Sequence, residues 1–172
     1  MKASVSEQFH EAKKILDNKW KNTKYIPYFQ AYTNTYAPLE VLKPLYEEAL
    51  SLPDVVGLNI ATRADALESD VIEYLFELSK RTFLTIELGL QTVHDVTAER
   101  INRCHSYDEF LDGYNKLKGL NVCVHIINGL PGETKSMMLD TARELAAIHP
   151  SGVKIHLLHI LKNTVIAEQY NN

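Results

Sequence analysis

"FLTIELGL", Phe83 to Leu90, is the run whose alternation separates two folds. Leu84, Ile86 and Leu88 share one face of an extended segment, while Thr85 and Glu87 occupy the other and Gly89 and Gln91 continue that second row. A strand with helices on both sides is apolar on both, whereas a barrel strand meets helices only on its outside. The same parity recurs in three further runs. Leu58 and Ile60 oppose Asn59; Val122, Val124 and Ile126 oppose Cys123 and His125; Val153, Ile155 and Leu157 oppose Lys154 and His156. Strands with one polar face favour a barrel-like cavity over an open doubly wound sheet.

Helical spacing fills the intervals between these runs. Ser4 to Asn22 carries Phe9, Ala12, Ile15, Leu16 and Trp20 at helical spacing, with Ser4 and Glu7 as a capping box. Pro38 opens a second helix, marked by Leu39, Leu42, Leu45, Tyr46 and Ala49 and stopped by Pro53. Further helices are expected over Ser69 to Arg81, Val96 to Arg103, from a second capping box at Ser106 and Glu109 to Gly119, and over Met137 to Ile148, with a weak one last. "KYIPYFQAYTNTY" reads as an edge strand, because Pro27 removes a ladder donor. Alternating strands and helices mean parallel strands joined by right-handed crossovers. The expected architecture is an α/β chain forming a partial (β/α) barrel of about five parallel strands with outer helices, in one domain over residues 1–172.

Composition narrows the partners. The 172 residues carry a formal net charge of -4, with Lys and Arg dispersed among acids. That distribution argues against a chain built to grip nucleic acid and leaves small molecules as the default ligands. Cys104 and Cys123 are too few and too far apart for a disulfide framework or a Cys-x-x-Cys metal site, and each reads as a small buried residue. No secretory signal or membrane-spanning run is visible, so the expected compartment is the cytoplasm.

The polar row Asn59, Glu87, His125, Lys154 and His156 would face one concave space. Burying such groups without partners costs several kcal/mol per charge, so a wet, ligand-holding site or a self-satisfied ion-pair layer is required. Glu87, Lys154 and His156 are therefore the candidates for substrate contact or proton transfer. At the end of one of these strands stands "HIINGLPGET", His125 to Thr134. Gly129 and Gly132 give it backbone freedom, Pro131 fixes a turn, and Thr134 can cap the helix that follows. A strand, tight loop and helix N-terminus suit a phosphate, a carboxylate or the adenosine part of a cofactor.

"IATRAD" (Ile60 to Asp65), "ELGLQT" (Glu87 to Thr92), "INR" (Ile101 to Arg103) and "HIINGLPGET" follow one another at successive strand ends. In this order they resemble the radical S-adenosylmethionine (radical SAM) enzymes, especially the Elongator-like subgroup and its uncharacterised bacterial Fe–S oxidoreductase branch. The resemblance implies a radical SAM barrel whose first strand is missing here. It also implies S-adenosylmethionine as cofactor: Gln91 would hold its ribose, Arg103 would meet its carboxylate, His125 would face the ribose where relatives often carry an acid, and Gly129 and Glu133 would lie near the adenine. Ala61 stands where many relatives have a glutamate for the cofactor's amino group. From the residues alone, Gln91 could instead cap a helix, and Arg103 could pair with Glu99 or Asp95.

The Cys-x-x-x-Cys-x-x-Cys loop that holds the family's [4Fe–4S] cluster is absent from this sequence, and neither Cys104 nor Cys123 replaces it. The expectation is a truncated piece of a longer enzyme, the cluster belonging to the complete protein only, with no metal ligands here. Without the cluster, reductive cleavage of the cofactor has no electron source. Two alternatives remain: a degenerate SAM-binding or regulatory module, and a metal-dependent aldolase or hydrolase barrel using His125, His156 and Glu87. The exposed edge near Tyr25 to Phe29 is expected to promote self-association. The sequence names no substrate.

Overall fold

A computed structural model describes residues 3–171. The elements run α1 (Val5–Lys19), β1 (Tyr28–Phe29), α2 (Leu39–Leu50), β2 (Gly57–Arg63), α3 (Ser69–Ser79), β3 (Phe83–Gln91), α4 (Asp95–Arg100), α5 (Tyr107–Lys116), β4 (Asn121–Asn128), α6 (Lys135–Ile148), β5 (Gly152–Leu157) and α7 (Val165–Asn171). The five parallel strands form one sheet in chain order, as right-handed crossovers between alternating strands and helices produce. Both expected capping boxes are present, at Ser4 with Glu7 and at Ser106 with Glu109. The first helix is shorter than the expected Ser4 to Asn22, because Trp20 leaves helical backbone with φ -132° and ψ 140°.

The chain divides into two compact units, Met1–Thr62 with Ala66–Glu87, and Arg63–Asp65 with Leu88–Asn172. In the first unit the apolar rows of β2 and of the start of β3, Leu58, Ile60, Leu84 and Ile86, are fully or almost fully buried. Each such side chain contributes about 1.5–3 kcal/mol on leaving water. Tyr46 of α2 is the hinge of this core: its ring meets Phe29 edge-on at 5.1 Å and stacks with Tyr74 at 6.4 Å, and its hydroxyl donates to the Asn34 carbonyl. Burial pushes the Tyr46 hydroxyl well above its ordinary titration range, so it stays a donor. At the rim, Glu47 accepts from Arg81 and from Tyr74. Arg81, and after it Tyr74, hold the Glu47 carboxyl below the usual carboxylate range.

In the second unit β4 and β5 run parallel with His125 opposite Lys154 and Ile127 opposite His156. Gly113 of α5 allows that helix to press on the 63–65 segment, since a Cβ there would lie 2.3 Å from the Ala64 carbonyl oxygen. The apolar rows of β3 and β4 behave as their parity predicts, with Leu88, Leu90, Val122, Val124 and Ile126 at most 4% exposed. The corresponding row of β5 does not. Val153, Ile155 and Leu157 are 44%, 63% and 72% exposed. Parity identifies the apolar face of a strand, but burial also needs an element to cover it.

Candidate functional site

Strand β3 ends on an unusual piece of backbone. Gln91 has φ +63°, and the Thr92 amide donates to the Leu90 carbonyl at 2.8 Å. A bond across one central residue with positive φ is the rare, strained form of γ-turn. Holding a non-glycine residue there costs about 1–3 kcal/mol, so the surroundings must enforce it. Arg103 stands against this turn with a side chain only 3% exposed. Its Nη1 donates to the carbonyls of both Leu90 and Thr92, its Nε donates to the His105 carbonyl at 2.8 Å, and its Nη2 donates to Asp95 Oδ1 at 3.1 Å. Asp95 also accepts the Tyr107 amide at 2.8 Å, which joins the start of α5 to the same node.

The "GLPGE" loop after β4 has the backbone expected of it. Gly129 and Gly132 sit at φ +87° and +82°. A Cβ on Gly129 would meet nothing within 4 Å, whereas one on Gly132 would lie 1.9 Å from Arg100 Nη1. The first glycine borders open space, and the second makes room for an arginine. Arg100 donates to the Pro131 carbonyl at 2.7 Å. Thr92, fully buried, donates its hydroxyl proton to Glu133 and accepts the His94 amide at 3.1 Å. His94 Nε2 lies 3.0 Å from the Met137 carbonyl, a contact that requires the proton on that nitrogen. Thr134 caps α6 through the Met137 amide. The loops after β3 and β4 are thus laced together by side chains from both.

Of the residues the resemblance nominates, Gln91 closes β3 half-buried and Gly129 follows β4 in the open, while His125 lies within β4, half-buried, with its Nε2 buried. Glu133 is directed to Thr92, and Arg103 to backbone carbonyls and Asp95. Of the two pairings the residue spacing left open for Arg103, with Glu99 or with Asp95, the second is the one formed. His125 and His156 approach with ring centroids 5.3 Å apart, with Lys154 in register beside His125. His156 is exposed, and Lys154 is half-buried.

The first unit holds its own polar cluster. Glu87 is 5% exposed, and Tyr28, aligned with Asn59 across β1 and β2, donates its hydroxyl proton to Glu87 Oε2 at 2.5 Å. Asn59 Nδ2 donates to the other oxygen at 3.4 Å. Tyr28 is absent from the sequence-derived row. The only sequence signal for it is its place one residue beyond Pro27, in a strand of two residues whose register cannot be read from alternation.

The cysteines depart from expectation. Cys104 is exposed and Cys123 is half-buried, so neither is a buried filler. Cys104 lies in a left-handed loop, φ +68°, with its Sγ over the Asn102 carbonyl at 3.2 Å. Its neighbour His105 is buried, with both ring nitrogens lacking a hydrogen-bond partner and Nδ1 3.7 Å from Asp65 Oδ1. Burial, and after it Arg103, pushes the His105 imidazolium to a lower pKa. Among the described residues no group of three or more His, Cys, Asp or Glu side chains could hold a metal ion.

The family model for the radical SAM superfamily matches residues 2–145. The uncharacterized protein YtqA of Bacillus subtilis is 54% identical over 165 residues, covering 95% of this chain and 51% of that protein. Protein YhcC of Escherichia coli K12 is 38% identical, covering 97% and 54% respectively. The chain therefore spans about half the length of these curated relatives. Among solved structures, an archaeal Elp3 from Methanocaldococcus infernus with an N-terminal deletion superposes with a TM-score of 0.76 at 20% identity, covering 98% of this chain and 47% of that one. Coproporphyrinogen III oxidase (HemN) from Escherichia coli, a radical SAM enzyme, superposes with a TM-score of 0.61 at 19% identity, covering 80% and 32%. The match of that family model over most of the chain is what identifies it: the chain belongs to the radical SAM superfamily.

Proposed function

We propose that this chain supplies the S-adenosylmethionine-facing strand ends of a radical SAM barrel and binds that cofactor weakly by itself. The observation that carries the reading is the pair of laced loops in the second unit, which leaves Gln91 and the open side of Gly129 at the strand ends, with half-buried His125 three residues before the end of β4. The donor set suits an adenosine group. Gln91 offers both a donor and an acceptor to ribose hydroxyls, and the His125 imidazole can do either. Gly129, with nothing beyond its Cα, lets a flat ring approach the backbone. Glu133 acts at one remove, by holding Thr92.

The [4Fe–4S] cluster of the family does not fit the residues present. The sequence has two cysteines, one exposed before α5 and one on β4, and cluster binding needs thiolates converging on one centre. The chain alone is accordingly a binding element without reductive cleavage, and hydrogen abstraction from a substrate belongs to a protein that brings the cluster. Glu87, Lys154 and His156 remain the candidates for substrate contact.

Calorimetric titration of the chain with S-adenosylmethionine tests the reading. Saturable binding that weakens about tenfold in Gln91→Ala and in His125→Ala, one hydrogen bond each, supports it. Absence of binding to the wild-type chain, or binding indifferent to both substitutions, overturns it.

A further inference from the structure

We propose that Arg63 is a binding residue for a ligand carboxylate, that the Asp65 carboxylate fills its guanidinium edge until that ligand arrives, and that buried His105 then receives Asp65. The proposal goes beyond the cofactor reading above and stands without it.

Three side chains of the second unit carry the argument. Arg63 closes β2, so it stands at the carboxyl end of a parallel strand, the end at which such sheets bind their ligands. One edge of its guanidinium is filled from within the chain: Nε donates to Asp65 Oδ1 at 2.9 Å and Nη2 donates to Oδ2 at 2.5 Å. The two side chains remain 41% and 32% exposed, so water and salt weaken the pair and an incoming anion can reach it. A guanidinium edge that holds one carboxylate through a two-bond fork is shaped to hold another. Asp65 is a placeholder with the ligand's own chemistry.

His105 accounts for where the placeholder goes. Its side chain is 1% exposed and neither ring nitrogen has a hydrogen-bond partner, although a neutral imidazole always carries one proton to donate. A buried donor without an acceptor is a penalty that native chains rarely keep. Nδ1 lies 3.7 Å from Asp65 Oδ1, the same oxygen that Arg63 Nε holds. A shift of about 1 Å brings that oxygen within hydrogen-bond length of Nδ1. The backbone has no need to follow. Helix α5 is pressed on the 63–65 segment at Gly113, where a Cβ would lie 2.3 Å from the Ala64 carbonyl oxygen, and Ala64 is buried. Asp65 therefore exchanges partners by side-chain rotation. The ligand gains the fork, and the displaced carboxylate gains the proton that His105 holds in reserve.

NMR of the wild-type chain reads both partners at once, with succinate as the probe and inorganic phosphate at matched ionic strength as the control. The expected result is saturable movement of the Arg63 Nε–H resonance together with a downfield shift of the His105 Nδ1 proton as it enters a hydrogen bond. An Arg63 response that leaves His105 unmoved overturns the proposal, as does a phosphate response equal to that of succinate, or no response to either succinate or S-adenosylmethionine. Variants, with folding checked by circular dichroism, test the exchange. Arg63→Lys is expected to weaken succinate binding about tenfold, through loss of the two-bond fork. Asp65→Ala is expected to tighten it. His105→Phe should weaken it about threefold in the wild-type chain and leave it unchanged in Asp65→Ala, where no carboxylate needs a new partner. Weaker binding in Asp65→Ala would make Asp65 an aid to the ligand and overturn the exchange; should that variant fail to fold, the paired shifts in the wild-type chain decide. Comparison of S-adenosylmethionine with 5′-methylthioadenosine, which lacks the carboxylate and amino group, names the source. Paired shifts with the first alone, and none with succinate, support a cofactor carboxylate; a succinate response that persists in its presence supports a separate substrate. If S-adenosylmethionine does not bind at all, the cofactor reading falls and the succinate titration still decides this one.

Discussion

Thr92→Val is the substitution that best isolates what laces the two loops of the second unit. The swap preserves shape and replaces a hydroxyl with a methyl in a fully buried position, so a chain held by apolar packing alone would tolerate it. The hydroxyl, however, serves two partners at once: it donates to the Glu133 carboxylate and accepts the His94 amide at 3.1 Å. Removing it strands a part-buried amide, which costs about 1–3 kcal/mol, and deletes a bond to a charged acceptor worth about 1.5–3 kcal/mol in enclosed surroundings. Glu133 is half-exposed and turns to water, so the second figure is largely recovered. The expected destabilisation is about 2–3 kcal/mol. Thr92→Ser keeps both bonds and loses one buried methyl, about 1 kcal/mol. Urea unfolding followed by circular dichroism and by fluorescence supplies the comparison, with coincident transitions as the condition for quoting a free energy. Valine less harmful than serine, or within about 0.5 kcal/mol of wild type, would refute the reasoning, because the hydroxyl would then contribute nothing beyond its volume.

Other consequences are checkable by simpler means. Cys104→Gly is expected to stabilise the chain by about 0.5–1 kcal/mol, since φ +68° costs an L-residue about 1–2 kcal/mol and glycine returns part of that as chain entropy; a lower midpoint in denaturant would contradict it. In the native wild-type chain, an aromatic disulfide reagent should titrate Cys104 faster than the half-buried Cys123, with Cys104→Gly abolishing the fast phase. His105 gives a pH dependence with a definite sign. Its folded pKa lies below the unfolded value near 6.5, so the unfolded state binds more protons as pH falls below that value, and stability drops there. His105→Phe should flatten that slope and cost little at neutral pH, because the ring nitrogens have no hydrogen bonds to lose; an unchanged slope would assign the dependence to other groups.

How far the sequence carries the fold depends on which interaction each feature reports. The alternation in Leu84, Ile86 and Leu88 reports the response of a pleated strand to an apolar neighbour, and those residues are buried as it requires. The capping boxes at Ser4 and Ser106 are equally local, each closed within three residues, and both form. Val153, Ile155 and Leu157 carry the same alternation and stay exposed. A periodic pattern records a preference for burial and contains no information on whether a second layer stands opposite.

The candidate site was legible in its types and positions and illegible in its bonding. "GLPGE" announces its turns, because glycine at φ +87° and +82° meets a steric requirement that the residue type itself reveals. Glutamine reveals no such requirement. At position 91 the backbone is left-handed, and the carbonyls on either side, of Leu90 and Thr92, both accept from an arginine twelve residues later in the chain. Residue spacing could suggest the Asp95 partner of Arg103, since Asp95 opens the short helix α4 and Arg103 follows two residues after its C-cap, Ile101. It could not suggest the carbonyl bracket, because backbone oxygens are present at every position and leave no mark in the sequence. The same blindness hid Tyr28, whose hydroxyl reaches Glu87 from a strand only two residues long.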